Sequence, residues 1–244
     1  MKYNKINLMC PTYHRLKKLT TFIQSAQSMC NDRKCICFTF CVNKSDRDTV
    51  SLIGKLCQGW DYHIVYENLS KPNLAIFYNM MYTYSSSYDS FFRSNKVIVS
   101  MLGDDMEFKT KGYDTFLIDE INQHNGIGIF YGNDNIHKKN MCSNIFTTRK
   151  FVDGNLPKLF MCELFPCDVI DRLWFGIAKK LNCLYYYPDI KIQHNHASRS
   201  GVGNDKTHSR LMKMRGISMK HNRKSGDIIK SSVSRIIKNL CIKQ

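Results

Sequence analysis

The sequence predicts an α/β domain built on a mostly parallel sheet flanked by helices. Apolar runs of strand length alternate with amphipathic stretches of helical period from residue 6 onward. That alternation places crossover helices between parallel strands. The run Val97-Ile98-Val99-Ser100-Met101-Leu102 is almost wholly apolar and ends in Gly103-Asp104-Asp105, as expected of a strand buried on both faces that delivers polar groups at its C-terminal end. Length and composition agree, since 244 residues with 43% apolar and 12% aromatic content suffice for one large folded unit with a tail.

Ile6 to Cys10 reads as the first strand, broken at Pro11-Thr12, and Leu16, Leu19, Phe22, Ile23 and Ala26 follow at helical spacing. Cys35 to Val42 reads as a second buried strand, Asp48 to Cys57 as a helix and Tyr62 to Tyr66 as a third strand. From Asn73 to Tyr84 a helix presents Leu74, Phe77, Tyr78 and Met81 on one face, ahead of the strand that ends at the carboxylates. Beyond them come a helix over Tyr113 to Asn122, strands over Gly126 to Tyr131 and Asn144 to Thr148, and a loop from Phe151 through Pro157. Asp168 to Asn182 repeats apolar residues at helical spacing, and Tyr185 to Pro188 with Ile190 to His194 forms a last extended stretch. Ser198 to Thr207 is a polar, glycine-rich loop, and a terminal helix is expected over Asp227 to Ile242.

Charge is uneven. The net charge is +16, of which residues 199–244 carry +10. A basic segment of this kind suits a polyanionic partner, either nucleic acid or an anionic membrane surface, or serves only as a soluble tail. No apolar run reaches the roughly 20 residues of a membrane span, and the N-terminus lacks a signal peptide's apolar region. The eleven cysteines show no C-x-x-C pairs, so they read as buried residues of a reducing, cytoplasmic compartment.

Two adjacent carboxylates after a buried strand lie where open α/β sheets bind ligands. As hard oxygen donors they suit Mg²⁺ or Mn²⁺ with substrate phosphates completing the shell, or they form an acidic turn and no more. Asp168, at an expected helix start, is placed either as a general base or as an N-cap. His194 and His196 share one face at strand spacing, as ligands or as packed residues. Trp60, Trp174 and Tyr185 to Tyr187 offer stacking surfaces or, more simply, core packing.

The order I-N-L-M-C-P-T-Y-H-R, F-C-V-N, K-P-N-L-A-I-F-Y-N and L-G-D-D-M-E-F resembles the nucleotide-sugar half of GT-A glycosyltransferases of the broad family-2-like group. C-D-V-I-D-R-L-W-F-G and H-N-H resemble that fold's acceptor half. The resemblance implies a catalytic domain over residues 1–198, divided into a nucleotide-sugar half (1–108) and an acceptor half (109–198), with a basic extension over 199–244. It implies that Pro11, Thr12, Tyr13, Arg15 and Asn43 surround the base and ribose, and that Asn73 and Asn79 lie on the diphosphate side. The family's metal motif usually has three acids in a row, whereas Gly103 takes the first place here. The motif's last acid implies Asp105 as the direct ligand of Mn²⁺ or Mg²⁺, with Asp104 reaching ribose or water and with His194 or His196 completing the site. Asp168 matches the base of inverting members. The loop from Ser198 to Thr207 either closes over the donor, with Arg199 or Lys206 touching the diphosphate, or is a disordered surface loop. The donor implied is a nucleotide sugar, UDP-linked by preference.

In compactness and basicity the chain is similar to small GT-A-like enzymes, some from phages, that glycosylate hydroxymethylated pyrimidines in DNA. DNA is therefore an expected acceptor, in the host cytoplasm if the source is viral. A transferase of glycan biosynthesis in peripheral contact with a membrane is the alternative, and a non-catalytic nucleic-acid-binding module is the third reading.

Overall fold

The computed structural model describes residues 2–68, 73–87, 96–155 and 170–195. Their strands join in one eight-stranded sheet of order β3-β2-β1-β4-β7-β6-β8-β5. β1 (Lys5–Thr12), β2 (Ile36–Asn43), β3 (Asp61–Glu67) and β4 (Val97–Met101) pair in parallel. β7 (Ile145–Thr148) runs antiparallel between β4 and β6 (Ile129–Asn133). β8 (Leu184–His194) is parallel to β6, and the short β5 (Met106–Phe108) pairs antiparallel with its end. Only β5 and β7 oppose the other six strands, so the sheet is mostly parallel, as expected.

The reason the strand runs lack polar alternation is visible in where each side chain goes. In β1, Ile6, Leu8 and Cys10 enter one apolar layer and Met9 enters the other. β4 sends Ile98 one way and Val99 and Met101 the other, and β6 divides Phe130 from Ile129 and Tyr131 in the same manner. The first layer is covered by α1 (Leu16–Met29), α2 (Arg47–Leu56) and α4 (Tyr113–Gln123), through Phe22, Ile53 and Leu117 among others. The second is covered by α3 (Leu74–Ser87), α5 (Arg149–Asn155) and α6 (Ile170–Lys180), through Met81, Phe151 and Trp174. Each fully buried Phe or Leu of these layers contributes about 1.5–3 kcal/mol.

Several boundaries differ from the sequence reading. β1 does not break at Pro11 but continues through it to Thr12. Proline is tolerated because β4 pairs with β1 only over Lys5–Asn7, so at Pro11 the strand has a ladder partner on one side alone. The segment from Phe151, expected as a loop, is helix α5, whose start is capped by Thr148 Oγ1 accepting the Phe151 N–H at 3.2 Å. Met106–Phe108, which carries no strand pattern of its own, becomes β5 by pairing with β8. The two extended pieces around Pro188 are one strand, β8, with an irregularity: its register against β6 jumps from Gly132↔Tyr187 to Asn133↔Lys191. Trp174 is fully buried beside Phe151, and Trp60 packs edge-on against Phe38, so both indoles belong to packing. The eight cysteines among the described residues are buried thiols. No helix among the described residues is long and apolar enough to cross a membrane.

The bulge on β8 turns its last residues toward the end of β4. It requires a close backbone approach: a Cβ at position 132 would collide with the carbonyl oxygen of Ile190. Gly132→Ala is therefore expected to lower the stability by about 1–3 kcal/mol, measured as a shift of the urea midpoint at unchanged slope. An unshifted midpoint would show that the bulge accommodates a side chain.

Candidate active site

The chain proceeds from β1 outward to β2 and β3, then returns to lay β4 on the other side of β1. Such a reversal opens a crevice at the C-terminal ends of the two strands, where open α/β sheets bind ligands. The loop after β1 supplies Thr12 to Arg15, the loop after β4 supplies Gly103 to Asp105, and the bulged β8 brings His194 in from the far side of the sheet.

The two carboxylates are nearly or fully buried and divide their partners. Thr12 Oγ1 donates to Asp104 Oδ2 at 2.8 Å, and Arg15 donates through one nitrogen to Asp104 Oδ1 at 2.5 Å. The other terminal nitrogen of Arg15 lies 3.4 Å from Asp105 Oδ2, so the guanidinium bridges both acids. Asp105 Oδ1 faces His194 Nε2 at 3.4 Å, and the Asn195 N–H donates to the Asp105 carbonyl at 2.7 Å. Position 103 must be small for this arrangement, because a Cβ there would stand 2.7 Å from Asp105 Oδ1. The glycine that replaces the first acid of the three-acid pattern thus leaves room for Asp105 to turn toward His194.

Burial pushes the Asp104 carboxyl up to about 7, with Arg15 opposing the rise, Asp105 adding to it and Thr12 and Lys18 also opposing. Burial would raise Asp105 as well, but the His194 hydrogen bond and charge, with Arg15 and Lys18, outweigh it and hold Asp105 well below the usual carboxylate range. His194 is the mirror case: burial alone would lower it, and its contact with Asp105, helped by Asp134 and Asp171, raises it instead. Burial together with the two acids keeps the Cys10 thiol neutral, its pKa well above the ordinary value.

Among the other residues expected to act here, Tyr13 stands with its ring edge-on to His14 at 4.3 Å. His14 has a left-handed backbone (φ 50°) held by Asp46, which accepts its N–H at 2.8 Å and also caps α2 through Thr49. Asn43 is bonded to Glu67 at the end of β3 (2.8 Å) and accepts from Ser45. Asn73 caps α3 by accepting the Ile76 N–H, and Asn79 is buried on the same helix. Beside Asn79, the Tyr78 hydroxyl donates to the Leu102 carbonyl at 2.9 Å and so ties α3 to the strand end that carries the acids. Asp168, His196, Lys71, Pro72, Arg199 and Lys206 lie outside the described residues. Sequence reasoning missed Lys18, Tyr78, Glu67 and Asp46. Lys18 had a signal, being one helical turn beyond Arg15, whereas the others are recognised only from the ends of neighbouring strands.

Among the described residues no group of three His, Cys, Asp or Glu side chains gathers for a metal ion. Asp105 and His194 do supply two donors, and their 3.4 Å separation is close to the ~3 Å between neighbouring ligands of an octahedral ion with bonds of ~2.1 Å. One carboxylate and one imidazole form a donor pair that a divalent ion such as Mn²⁺ would accept.

No protein-family model matches this sequence, and no curated protein matches it either. Solved structures do match. TarS of S. aureus superposes with a TM-score of 0.62 at 12% identity, over 95% of this chain and 43% of that one. A shorter TarS, residues 1–349, matches in complex with UDP-GlcNAc (TM-score 0.58, 12% identity, 95% of this chain and 72% of that one). The mannosyltransferase PcManGT of Pyrobaculum calidifontis, in complex with GDP-Man and Mn²⁺, matches with a TM-score of 0.59 at 9% identity, over 99% of this chain and 76% of that one. The chain spans less than half of the longer TarS chain that it matches. At these identities the likeness concerns the fold.

The Arg15 bridge generates a test. Arg15→Met leaves the two acids with Thr12, Lys18 and His194 beside them and is expected to cost about 3 kcal/mol. Adding Asp104→Asn should recover more than half of that loss, a coupling read from a double-mutant cycle in urea. Additive losses would mean that Arg15 does not neutralise Asp104. With α1, α2 and α4 on one face, α3, α5 and α6 on the other, and its acids at the β1–β4 crevice, the chain has a GT-A-like fold.

Proposed function

We propose that the chain is a nucleotide-sugar-dependent glycosyltransferase that moves a sugar onto a hydroxyl acceptor. The observation that carries this reading is the Asp105–His194 pair, 3.4 Å apart at the C-terminal end of β4 beside the Arg15 bridge. It is supported by a fold shared with proteins solved with UDP-GlcNAc and with GDP-Man and Mn²⁺. Asp105 and His194, with His196, would hold the divalent cation, which when bound neutralises charge on the leaving diphosphate. Asp104 holds Thr12 and Arg15 in place at the mouth of the crevice. Pro11, Thr12, Tyr13 and Asn43 face the base and ribose side, and Asn73 and Asn79 belong to the helix on the diphosphate side. Asp168 takes the proton of the acceptor hydroxyl as its oxygen bonds to the anomeric carbon. The sugar–phosphate bond breaks on the opposite face and the diphosphate leaves with the electron pair, so the anomeric centre inverts.

The charge of +16 favours a polyanionic acceptor, and hydroxymethylated pyrimidine in DNA is the acceptor we put first. The base would then be flipped out of the helix to reach Asp168, and the Lys and Arg residues of 199–244 would contact phosphates.

The test is release of nucleoside diphosphate from UDP-sugars and GDP-mannose with Mn²⁺, with and without hydroxymethylcytosine DNA. Turnover that needs the DNA and falls at least about 100-fold in Asp105→Asn is the expected result. Donor hydrolysis indifferent to DNA would keep the transferase and transfer the acceptor to a glycan. DNA binding that is unchanged in Asp105→Asn, with no release from any donor, would replace the enzyme by a binding module.

A further inference from the structure

The turn after β6 takes no part in the reaction proposed above, yet one buried carboxylate organises it. Asp134 is 1% exposed. Its Oδ1 accepts the backbone N–H groups of Ile136, His137 and Lys138 at 3.0, 2.7 and 2.8 Å, and its Oδ2 accepts the Ser143 hydroxyl at 2.6 Å. Two non-glycine residues of this turn, Asn135 and Lys138, have left-handed backbones (φ 61° and 52°). Side chains with a Cβ rarely adopt that conformation unless neighbouring bonds impose it; here Lys138 is held by Asp134 and the Asn135 N–H by Asn133 Oδ1 at 2.9 Å.

The turn then meets the end of β8. The N–H of His194 is shared between the Asp134 carbonyl (3.2 Å) and Asn135 Oδ1 (3.1 Å). One residue further on, the Asn195 N–H is bonded to the Asp105 carbonyl. The backbone on which the imidazole is mounted is therefore fixed on one side by the Asp134 turn and on the other by Asp105 itself. A carboxylate that only capped a turn would have no reason to present both its own carbonyl and its neighbour's side chain to a single residue of the candidate site.

We propose that Asp134 is a positioning residue which, with Asn135, holds His194 against Asp105 and thereby sets the affinity of that pair for a divalent cation. This rests on the transferase reading only in taking Asp105 and His194 as the ligands. Groups that orient a metal ligand from behind typically govern affinity by 10- to 100-fold.

The experiment is titration of the full chain with Mn²⁺ alone, following free Mn²⁺ by electron paramagnetic resonance, with circular dichroism confirming that each variant is folded. Asp134→Ala should weaken Mn²⁺ binding about 10- to 100-fold. Asp134→Asn, which keeps the Oδ1 acceptor, should restore most of it. In a His194→Ala background, Asp134→Ala should change the affinity less than about twofold, because the residue through which it acts is gone. Should Asp134→Ala not fold, Asn135→Ala removes one acceptor from the His194 N–H and is expected to weaken binding several-fold, again only when His194 is present. Wild-type affinity in a folded Asp134→Ala or Asn135→Ala, beside a loss in Asp105→Asn, would overturn the positioning role and leave the transferase standing. An equal loss with and without His194 would also overturn it. Wild-type protein that binds no Mn²⁺, or binding indifferent to Asp105→Asn, would overturn both readings.

Discussion

Two acids adjacent in sequence at the end of one strand, Asp104 buried and Asp105 nearly so, are the constraint around which the site is built. Removing one ionised carboxylate from water costs several kcal/mol even after relaxation, and a second beside it adds repulsion. The surroundings of Asp104 and Asp105 answer this cost group by group. Arg15 spans both acids, Thr12 donates to one, His194 faces the other, and Lys18 adds charge from the next turn of α1. Gly103 leaves the space into which Asp105 turns. The first turn of α1 is thus occupied less with its own helix than with the end of β4, the third strand after it in the chain. Arg15 stands at the N-cap of α1 without capping it, which is intelligible once its guanidinium is needed at the carboxylates.

The topology delivers these groups from parts of the sequence far apart. Thr12 and Arg15 come from the loop after β1, the acids from the loop after β4, and His194 from a strand at the other side of the sheet. A straight β8 paired with β6 throughout would continue in the Tyr187 register. The jump to Lys191 at Asn133 uses the room left by Gly132 and lets the last three residues of β8 pair with β5, directly after Asp105. The site therefore depends on an irregularity in the sheet as much as on its regular part.

That irregularity also marks the limit of what the sequence made legible. Strands buried on both faces announce themselves as unbroken apolar runs, so β1, β2 and β4 could be read within a few residues. Asp104, Asp105 and His194 could be singled out because chemistry-bearing residues at strand ends are conspicuous. Pro11 misled because its meaning depends on whether a neighbouring strand needs a backbone N–H at that position, which proline lacks, and β4 has already diverged there. Helix α5 was hidden because its cap, Thr148, reads equally well as the last residue of a strand. β5 carries too few residues for a period and exists through β8. Asp134 gave no signal at all, since its partners are backbone N–H groups and a serine nine residues on. Contacts that a residue makes with main chain leave no trace in side-chain patterns.

The pairing of Asp105 with His194 has a consequence for how such a site changes on loading. Arg15 lies against one oxygen of Asp105 and His194 against the other, and the acid raises the affinity of the imidazole for its proton. An imidazolium has no lone pair to offer a metal, so both groups turn to a divalent ion only as that proton leaves. A divalent ion held by Asp105 and His194, as proposed above, would bring one more positive charge than the proton it displaced. Arg15 meanwhile stays committed to both carboxylates. That added charge would be the part not already spent inside the protein, and would be what an anionic diphosphate entering beside it meets.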